Sequence, residues 1–578
     1  MEYRQVQLRR GPVRLSRMVV GGRVFGELVP VKSGNGQGSP LKVKSKNTII
    51  TVLGMLPKFS IILSVCFFSV CGPPQKKNIL TPEQWAEFQK EISQADILLE
   101  RGSYTALKEA FQIYRGLLDF PVSKNKIRVR VLKTALLLGQ REDELGIIDD
   151  NHLQTAWDYL QAYPDLSEFS SIFELILRSS SKRQNLAETI LTGRSSIGDN
   201  LNWFSMNINP LNTQLKAKSE EDVFSAYFYI HLNSDFDHYL KKKDDCSRFS
   251  EIFPGSALIQ FKLAVSPKIV QDSLTKLVRE DSSFFEAHYF LGKIDLMLGK
   301  IISAEKKILL AYANIPRSIP ILSDLAKIYF VLEEFQKCLE FNQKILALDP
   351  DYRDALLAKA ICLGYMEHHE EAVEILDRLR GLGQYLMGET NYWLAWNRNE
   401  LNKHQEAWTD IEKAKKYLIG HHEVHTLSGI IAFKLDRLEE AEKDFEEAVK
   451  LSSPSCEPVF FLGKIFAHQE SWEKSAFYFE KASRCYQEQE NSLCQKIDEL
   501  ESSSLSEDRK KRHILRKKIQ IAKTRLSEAT SLYNAAAGYF NAGQKEKALP
   551  LAQRALRHDS FKAKADDLIK RIKKLDRE

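Results

Sequence analysis

Residues 429–448, GIIAFKLDRLEEAEKDFEEA, decide the fold, because their pattern returns 34 positions later as residues 463–482, GKIFAHQESWEKSAFYFEKA. In both stretches a Gly is followed twelve positions later by a small residue, and then by a Phe and an Ala. The pair of small residues recurs every 34 or 35 positions, as Gly292/Ala304, Ala326/Cys338, Ala360/Ala372, Ala395/Ala407, Gly429/Ala441 and Gly463/Ser475. This period predicts helical hairpins that bury their apolar faces only by stacking into a solenoid.

These residues resemble the tetratricopeptide repeat, a helical hairpin with small residues at positions 8 and 20, an aromatic at 24, Ala at 27 and Pro at 32. Ala441, Phe445 and Ala448 occupy positions 20, 24 and 27 of one unit. Pro316 and Pro350 fall at position 32 of the first two units, where proline ends the second helix. The resemblance implies an all-α, right-handed solenoid of helical hairpins that binds partners and is not an enzyme.

The resemblance also implies a division of the chain. Six repeats span residues 285–483, and residues 531–578 form a terminal repeat-like unit with a capping helix. In that unit Ala552 replaces the usual aromatic at position 24. Residues 79–280 predict irregular helices, which we interpret as degenerate repeats of the same kind, with a loop at 200–213.

The insertion at residues 484–530 predicts a projecting coiled-coil hairpin. Its apolar residues recur at heptad spacing in two runs. The first run is Tyr486, Leu493, Ile497 and Leu500, and the second is Leu515, Ile519, Ala522, Leu526, Ala529, Tyr533 and Ala536. A basic cluster opens the second run, at Arg509, Lys510, Lys511, Arg512, Arg516, Lys517 and Lys518. A solvated helix face and a contact with anionic lipid headgroups both fit this cluster.

The composition and charge of the chain do not indicate nucleic-acid binding. The chain has 578 residues, 43% of them apolar and 28% charged, which is typical of a soluble folded protein. Its net charge of +6 is concentrated at the start, because residues 1–54 hold ten Lys or Arg and two Asp or Glu. The remaining chain is near neutral, so we expect no nucleic-acid partner.

The N-terminus predicts a membrane tether. The apolar stretch 59–70 follows a short basic start and precedes Cys71 and a polar, Pro-rich segment. This order resembles a bacterial lipoprotein signal over residues 55–71, in which a lipid such as palmitate is attached to Cys71. Residues 1–54 are then a disordered basic extension or a mis-assigned start. A single membrane helix over 49–70 is the alternative, with Pro57 and Lys58 near its middle.

The sequence therefore favours a membrane-anchored scaffold of the bacterial envelope, on its periplasmic or surface face, that assists assembly of a complex. The alternative is a cytoplasmic adaptor or co-chaperone held at the inner face by the apolar segment. A third hypothesis is an enzyme with its active site in residues 79–280. That region, however, shows no clustered His or Cys and no paired carboxylates in sequence.

No residue pattern indicates catalysis, a cofactor or a metal. The chain has no phosphate-binding Gly-rich loop and no HExxH, CxxC or GxSxG motif. His421 and His425 lie four apart, but they fall at the start of a repeat helix and predict packing and surface roles. Cys485 and Cys494 are too far apart on one helix to bond, so mostly free thiols are expected.

The partner-binding groove should be lined by positions 2, 5, 9 and 12 of the first helix of each repeat, as the resemblance implies. Exposed aromatic side chains supply much of the energy of protein interfaces. Tyr392 and Trp396, one helical turn apart, form the strongest candidate pair, and the lysines suggest a peptide that carries carboxylates. The candidate groove residues are Tyr289, Lys293, Lys327, Phe330, Tyr392, Trp396, Asn399, Phe433, Phe460 and Lys464.

Overall fold

The computed structural model describes residues 80–575 except 121, 148–150, 180–199, 236–245, 254, 266–269, 385, 452–455 and 504. The expectations for residues 1–54, for the signal at 55–71 and for lipidation at Cys71 lie outside this range. Across the described range the regular elements are helices, and one isolated β-bridge joins Ile147 to Ser318. None of the described helices is both long and apolar enough to cross a membrane.

The repeats form antiparallel helix pairs, so the predicted all-α hairpin solenoid is confirmed. Each repeat is counted here from position 1 at residues 285, 319, 353, 388, 422 and 456, with its first helix called A and its second B. The first three pairs are α11 (Phe285–Met297) with α12 (Ile301–Asn314), α13 (Ile319–Val331) with α14 (Phe335–Leu348), and α15 (Arg353–Tyr365) with α16 (His369–Gly381). The next three are α17 (Met387–Glu400) with α18 (His404–Tyr417), α19 (His422–Lys434) with α20 (Leu438–Leu451), and α21 (Cys456–His468) with α22 (Trp472–Ser502).

The turn between helix A and helix B has the same geometry in every unit. Its residue at position 15 is left-handed, with φ between 55° and 75°, at Gly299, Glu333, Glu367, Asn402, Asp436, Glu470 and Gly543. The next amide donates to a carbonyl five residues back, for example Glu334 to Tyr329 at 2.8 Å. This is the Schellman arrangement, which satisfies the last carbonyls of a helix within a short turn. Gly543 extends the register to the terminal unit.

The small residue at position 8 of helix A receives the side chain at position 24 of helix B. A Cβ added to Gly429 would lie 2.7 Å from the Phe445 ring, and one on Gly463 would lie 2.9 Å from the Phe479 ring. Only glycine leaves room for so close an approach of the two helices. The same contact joins Gly292 to Ile308, so the period in the sequence records a packing contact that recurs in at least three hairpins.

The N-terminal region is helical and continuous with the repeats. A single apolar cluster runs from Phe88 to Ile431 and joins the two regions. The first helices are α1 (Pro82–Arg101), α2 (Tyr104–Gly116), α3 (Lys124–Glu144), α4 (Asn151–Ala162) and α5 (Ser170–Ser179). They are followed by α6 (Asn200–Lys218), α7 (Val223–Asp235), α8 (Phe249–Ile252), α9 (Ala257–Val265) and α10 (Gln271–Glu280).

The predicted loop at 200–213 is wrong, because α6 runs through it and includes Pro210. Phe204, Ile208 and Leu211 are buried on one face of this helix at spacings of four and three. Packing of that apolar face outweighs the weak helix propensity of the Asn-rich stretch.

The insertion forms the predicted helical hairpin, but its tip is bound to the first repeats. Helix α22 continues helix B of repeat 6, and α23 (Glu507–Asn541) returns to become helix A of the terminal unit. That unit is completed by α24 (Lys545–Ala555) and capped by α25 (Lys562–Leu575). Near the tip, the Arg509 guanidinium contacts Glu305 at 2.6 Å and Glu334 at 2.8 Å. The hairpin thus joins repeat 6 to repeats 1 and 2.

The prediction of which α23 residues form the coiled-coil seam is wrong near the tip of the hairpin. Leu515, Ile519 and Leu526 are exposed, whereas Ile521, Thr524 and Glu528, two residues out of phase with that run, are buried. Helix α23 therefore carries two stripes, and in this stretch the more polar one is buried. The heptad pattern alone could not tell which stripe lies in the seam, because both repeat at spacings of three and four.

Candidate functional site

The helix A surface of repeats 4 to 6 forms a small pocket at the predicted groove positions. Tyr392 and Trp396 of α17 form one wall, and α19 and α21 supply the rest of the lining through His422, Glu423, Thr426, Leu427, Ile430 and Glu457. The cavity measures about 40 Å³, roughly the space of three water molecules. It fits the end of one ligand side chain.

The pocket combines aromatic side chains with negative charge. Burial alone would raise the pKa of Glu423, but the hydrogen bond from His422 at 3.1 Å and the nearby imidazoles lower it. The Glu423 carboxylate is therefore charged at neutral pH, and Glu457 lies on the same lining. Aromatic rings beside carboxylates favour a cationic ligand group.

The expectation that Tyr392 and Trp396 are exposed interface residues is wrong. Tyr392 is 6% and Trp396 7% exposed. The Trp396 ring lies 5.9 Å from Tyr365 of the preceding repeat and 5.4 Å from Trp393, measured between ring centres. Trp396 thus packs against the preceding repeat, and both nearly buried side chains line the pocket. Groove positions near the middle of the stack become buried because both neighbouring repeats cover them.

Two further groove candidates are also packing residues. Tyr289 is 1% exposed, and its hydroxyl donates to Asp324 of the next repeat at 3.0 Å. Asn399 is fully buried, and its side-chain oxygen accepts from Lys434 of the next repeat at 3.0 Å. Their hydrogen bonds tie neighbouring repeats and so fix the curvature of the stack.

The remaining candidates are partly exposed and lie in two groups. In repeats 1 and 2, Lys327 forms an ion pair with Asp324 at 2.8 Å, and the Lys293 ammonium lies 5.5 Å from the centre of the Tyr289 ring. In repeats 5 and 6, the Lys464 ammonium lies over the aromatic rings of Phe433, Phe460 and Phe461. Burial lowers the pKa of Lys464 to about 8. Phe330 packs against Phe335 and Tyr365.

The histidines at the start of repeat 5 act as packing and pocket residues. His425 Nδ1 lies 2.9 Å from the Asp444 carboxylate on helix B of the same repeat. His422 contacts Glu423. Among the described residues no group of His, Cys, Asp and Glu side chains is arranged to hold a metal ion.

The N-terminal region contains a buried charge network that the sequence did not reveal. Arg141 contacts Glu286 of repeat 1 at 2.5 Å, and both side chains are 1% exposed. Beside them, the Lys262 ammonium contacts Glu144 at 2.7 Å and Asp235 at 3.3 Å. Residues 79–280 show no paired carboxylates in sequence, but separate helices bring the Glu144 and Asp235 carboxylates to the same lysine, Lys262.

The pKa shifts in this network favour the charged forms of its groups. Burial alone would raise the pKa values of Glu144 and Asp235. Lys262 and Arg141 lower the pKa of Glu144, and Lys262 and a hydrogen bond from His231 lower that of Asp235. Burial opposes the charge on Lys262, but the carboxylates raise its pKa. Groups that keep their charge across the neutral range are poor proton donors and acceptors at neutral pH. The arrangement is typical of a structural ion cluster.

Two cysteines of repeat 6 form a disulfide. Cys456 at position 1 of helix A is bonded to Cys485 at position 30 of helix B, with their Cα atoms 5.4 Å apart. Cys338, Cys362 and Cys494 have free thiols. The expectation of mostly free thiols missed this pair, although the repeat register holds the signal. The start of helix A and the end of helix B lie side by side in an antiparallel hairpin.

No protein-family model matches the chain, and no curated protein matches it. Among solved structures, a tetratricopeptide repeat protein from Parabacteroides merdae ATCC 43184 is 17% identical, with 45% of this chain and 93% of that chain covered and a TM-score of 0.32. YrrB, described as a TPR protein with an unusual peptide-binding site, is 14% identical over 33% and 97%, with a TM-score of 0.28. PilW, described as a widely conserved type IV pilus biogenesis factor, is 13% identical over 34% and 92%, with a TM-score of 0.32. Each similarity covers less than half of this chain, so the tetratricopeptide-type fold rests on the hairpin packing and turns described above.

Proposed function

We propose that this protein is an exported scaffold of the bacterial envelope, tethered to a membrane at Cys71, whose groove binds extended segments of proteins during assembly of a complex. A solenoid of this fold presents a long interaction surface. The observation that best supports export from the cytoplasm is the disulfide between Cys456 and Cys485. Structural disulfides persist in oxidising compartments and are rare in the cytoplasm. This agrees with the apolar segment and Cys71, which predict export.

The pocket at Tyr392 and Trp396 supports a basic side chain in the bound segment. A Lys or Arg head group would lie beside the Tyr392 and Trp396 rings and within reach of the Glu423 and Glu457 carboxylates. Charge-assisted hydrogen bonds and cation–π contacts both favour this arrangement. The sequence led us to expect a peptide that carries carboxylates. We now propose a basic side chain at this part of the groove, and carboxylates remain suited to the lysine-bearing ends.

Export is tested by the mature N-terminus and by the thiols. We expect the native-host protein to incorporate a labelled fatty acid, and Cys71→Ala to abolish the label. Mass-tagging of thiols without reductant should leave Cys456 and Cys485 unmodified. Alkaline phosphatase fused after residue 80 should be active. An inactive fusion together with reduced Cys456 and Cys485 would support the cytoplasmic adaptor instead.

The groove is tested with two matched libraries of extended peptides that carry either Arg or Glu at one central position. We expect the Arg library to bind more tightly, and Glu423→Gln with Glu457→Gln to remove the preference. Glu370→Gln with Glu374→Gln is the control, because both residues are exposed on helix B and the change in net charge is equal. Equal binding of the two libraries to the unaltered protein would contradict the proposed pocket.

A further inference from the structure

The outward face of α23 carries an apolar stripe near the tip of the hairpin. Leu515 is 60%, Ile519 48% and Leu526 38% exposed, and Ala522 between them is exposed as well. These residues are spaced by four, three and four positions, which is the spacing of one side of a coiled-coil seam. The stripe is distinct from the seam toward α22 and from the face that binds repeats 1 and 2.

The same stripe is covered by helices at the base of the hairpin. Ala529 and Ala536 continue the spacing and are fully buried. Tyr533, also on the stripe, has its ring 5.5 Å from Phe561, in the segment that leads into α25. One half of the stripe is thus already a helix interface within the chain. The other half offers the same spacing with bulkier apolar residues and remains exposed in the described part of the chain.

The residues that flank the stripe are basic on both sides. In heptad terms Ile519 is at a and Ala522 at d, so the g positions are Lys511, Lys518 and Arg525, of which Arg525 forms an ion pair with Glu490 of α22 at 2.7 Å. The e positions are Arg516, which donates to the Glu333 carbonyl at 2.6 Å, and Lys523. The charges that a partner helix would meet are therefore chiefly those of the exposed Lys511 and Lys518. In coiled coils the e and g residues pair with charges on the partner helix and select it.

We infer that this stripe docks an amphipathic helix of another protein with apolar a and d residues and acidic e and g residues. A second copy of this chain is disfavoured, because its own basic e and g residues would face those of the first. Residues 1–54 have the same sign of charge, with ten Lys or Arg against two Asp or Glu. Charge complementarity therefore selects an acidic helix, and this surface acts independently of the groove.

A membrane surface is a poorer match to the stripe. Helices that lie on lipid have a broad apolar face, often with Trp or Phe. Here the exposed stripe is a single seam wide and holds no aromatic residue between Lys511 and Leu526. A narrow seam is the geometry that one helix covers.

The test uses the full chain and two synthetic helical peptides of four heptads, with Ile at a and Leu at d. One peptide carries Glu at every e and g position, and the other carries Lys. We expect fluorescence anisotropy to show the Glu peptide binding about tenfold or more tightly than the Lys peptide. Raising the salt should reduce this difference, because exposed charges are screened. The triple variant Leu515→Gln, Ile519→Gln, Leu526→Gln should lose about tenfold in affinity for the Glu peptide.

The control variant is Met297→Gln, Leu298→Gln, Ile419→Gln, which removes three exposed apolar residues elsewhere. It should bind the Glu peptide as the unaltered protein does, and thermal melting should show both triple variants folded. The inference is overturned if the two peptides bind equally or if the stripe variant binds the Glu peptide normally. It is also overturned if the stripe variant abolishes only self-association in sedimentation, or only binding to vesicles rich in phosphatidylglycerol.

Discussion

The repeats at 285–483 and the helices at 80–281 are both built from packed helices, yet different contacts hold them. In the repeats the decisive contacts join position 8 to position 24 of one hairpin, such as Gly292 with Ile308 and Gly429 with Phe445. The partners are sixteen residues apart, and the contact recurs with the period. In the N-terminal region the decisive contacts are buried ion pairs between helices far apart in sequence.

The ion pair between Arg141 and Glu286 shows the contrast most clearly. It joins α3 to the first repeat across 145 residues of sequence. The same Glu286 carboxylate accepts the Tyr104 backbone amide at 2.6 Å, which adds α2 to the contact. Local apolar contacts can be repeated, extended or lost unit by unit, whereas one buried ion pair fixes a single arrangement of several helices. Four substitutions distinguish stabilisation by local apolar contacts from stabilisation by ion pairs between distant helices.

The largest effect is expected from Arg141→Met. It leaves Glu286 buried without its cation, and breaking a buried pair costs about 3–5 kcal/mol. Urea unfolding should show the loss, with hydrogen exchange rising in α2 and α3. Arg130→Met is the matched control, because it breaks an ion pair with Asp96 in which both side chains are at least one-third exposed. It should lower the free energy of unfolding by less than about 1 kcal/mol. If Arg141→Met with Glu286→Gln is no more stable than Arg141→Met alone, the buried charge is not the cause.

Gly429→Leu should destabilise the repeats by about 2–3 kcal/mol through overpacking. The new side chain enters the space of the Phe445 ring, which cannot retreat because it stacks on Phe461 at 5.0 Å. Hydrogen exchange should rise in α19 to α21 and stay unchanged in α1 to α5. Gly381→Leu is the control, since nothing lies within 4 Å of a Cβ at that helical position. A uniform loss of protection along the whole chain would contradict the unit-by-unit stability proposed here.

Arg509→Glu should release the hairpin tip from repeats 1 and 2. Its partners Glu305 and Glu334 are largely buried, so the local cost is intermediate between exposed and buried pairs, about 2 kcal/mol. Hydrogen exchange should increase at the turn around Glu333, while the melting temperature changes little. Lys511→Glu makes the same change of charge at an exposed neighbouring position. Equal exchange at that turn in both variants would show that the tip is held by other contacts.

Asp281→Asn should produce the smallest effect, with a defined pH dependence. The hydrogen bond from Arg101 lowers the pKa of Asp281 to about 2. A carboxyl group with a lowered pKa stabilises the fold above its ordinary pKa, and this contribution disappears as the pH falls toward 2. Arg101 is about half exposed, so the contribution should stay below about 1 kcal/mol. The difference in melting temperature between the two proteins should be largest at pH 5 and vanish near pH 2.

The exposed residue Asp272 provides the matched control for that experiment. Asp272→Asn removes one carboxylate but leaves the pair with Arg101 intact, so at pH 5 Asp281→Asn should melt at the lower temperature of the two variants. A difference for Asp281→Asn that stays constant from pH 5 to pH 2 would show that the ion pair with Arg101 does not contribute.

Two of the predicted groove residues, Tyr392 and Trp396, line the pocket, but the sequence did not indicate its acidic character. Its location at helix A of repeats 4 to 6 follows from the repeat register. Its acidic lining arises where Glu423 and Glu457, one repeat apart, meet beside Trp396. The sequence could not show that Tyr392 and Trp396 are buried, because their cover comes from residues of adjacent repeats.

The hairpins, their register and their turns follow from the sequence alone, because each depends on contacts within about 34 residues that recur along the chain. Small residues at positions 8 and 20 allow only one close packing of helices A and B. The tertiary structure alone decided the charge network around Arg141, the docking of the hairpin tip, the disulfide of repeat 6 and the stripe left exposed on α23. Each of these depends on a partner from a different hairpin or layer, whose position is set only when the whole stack has formed.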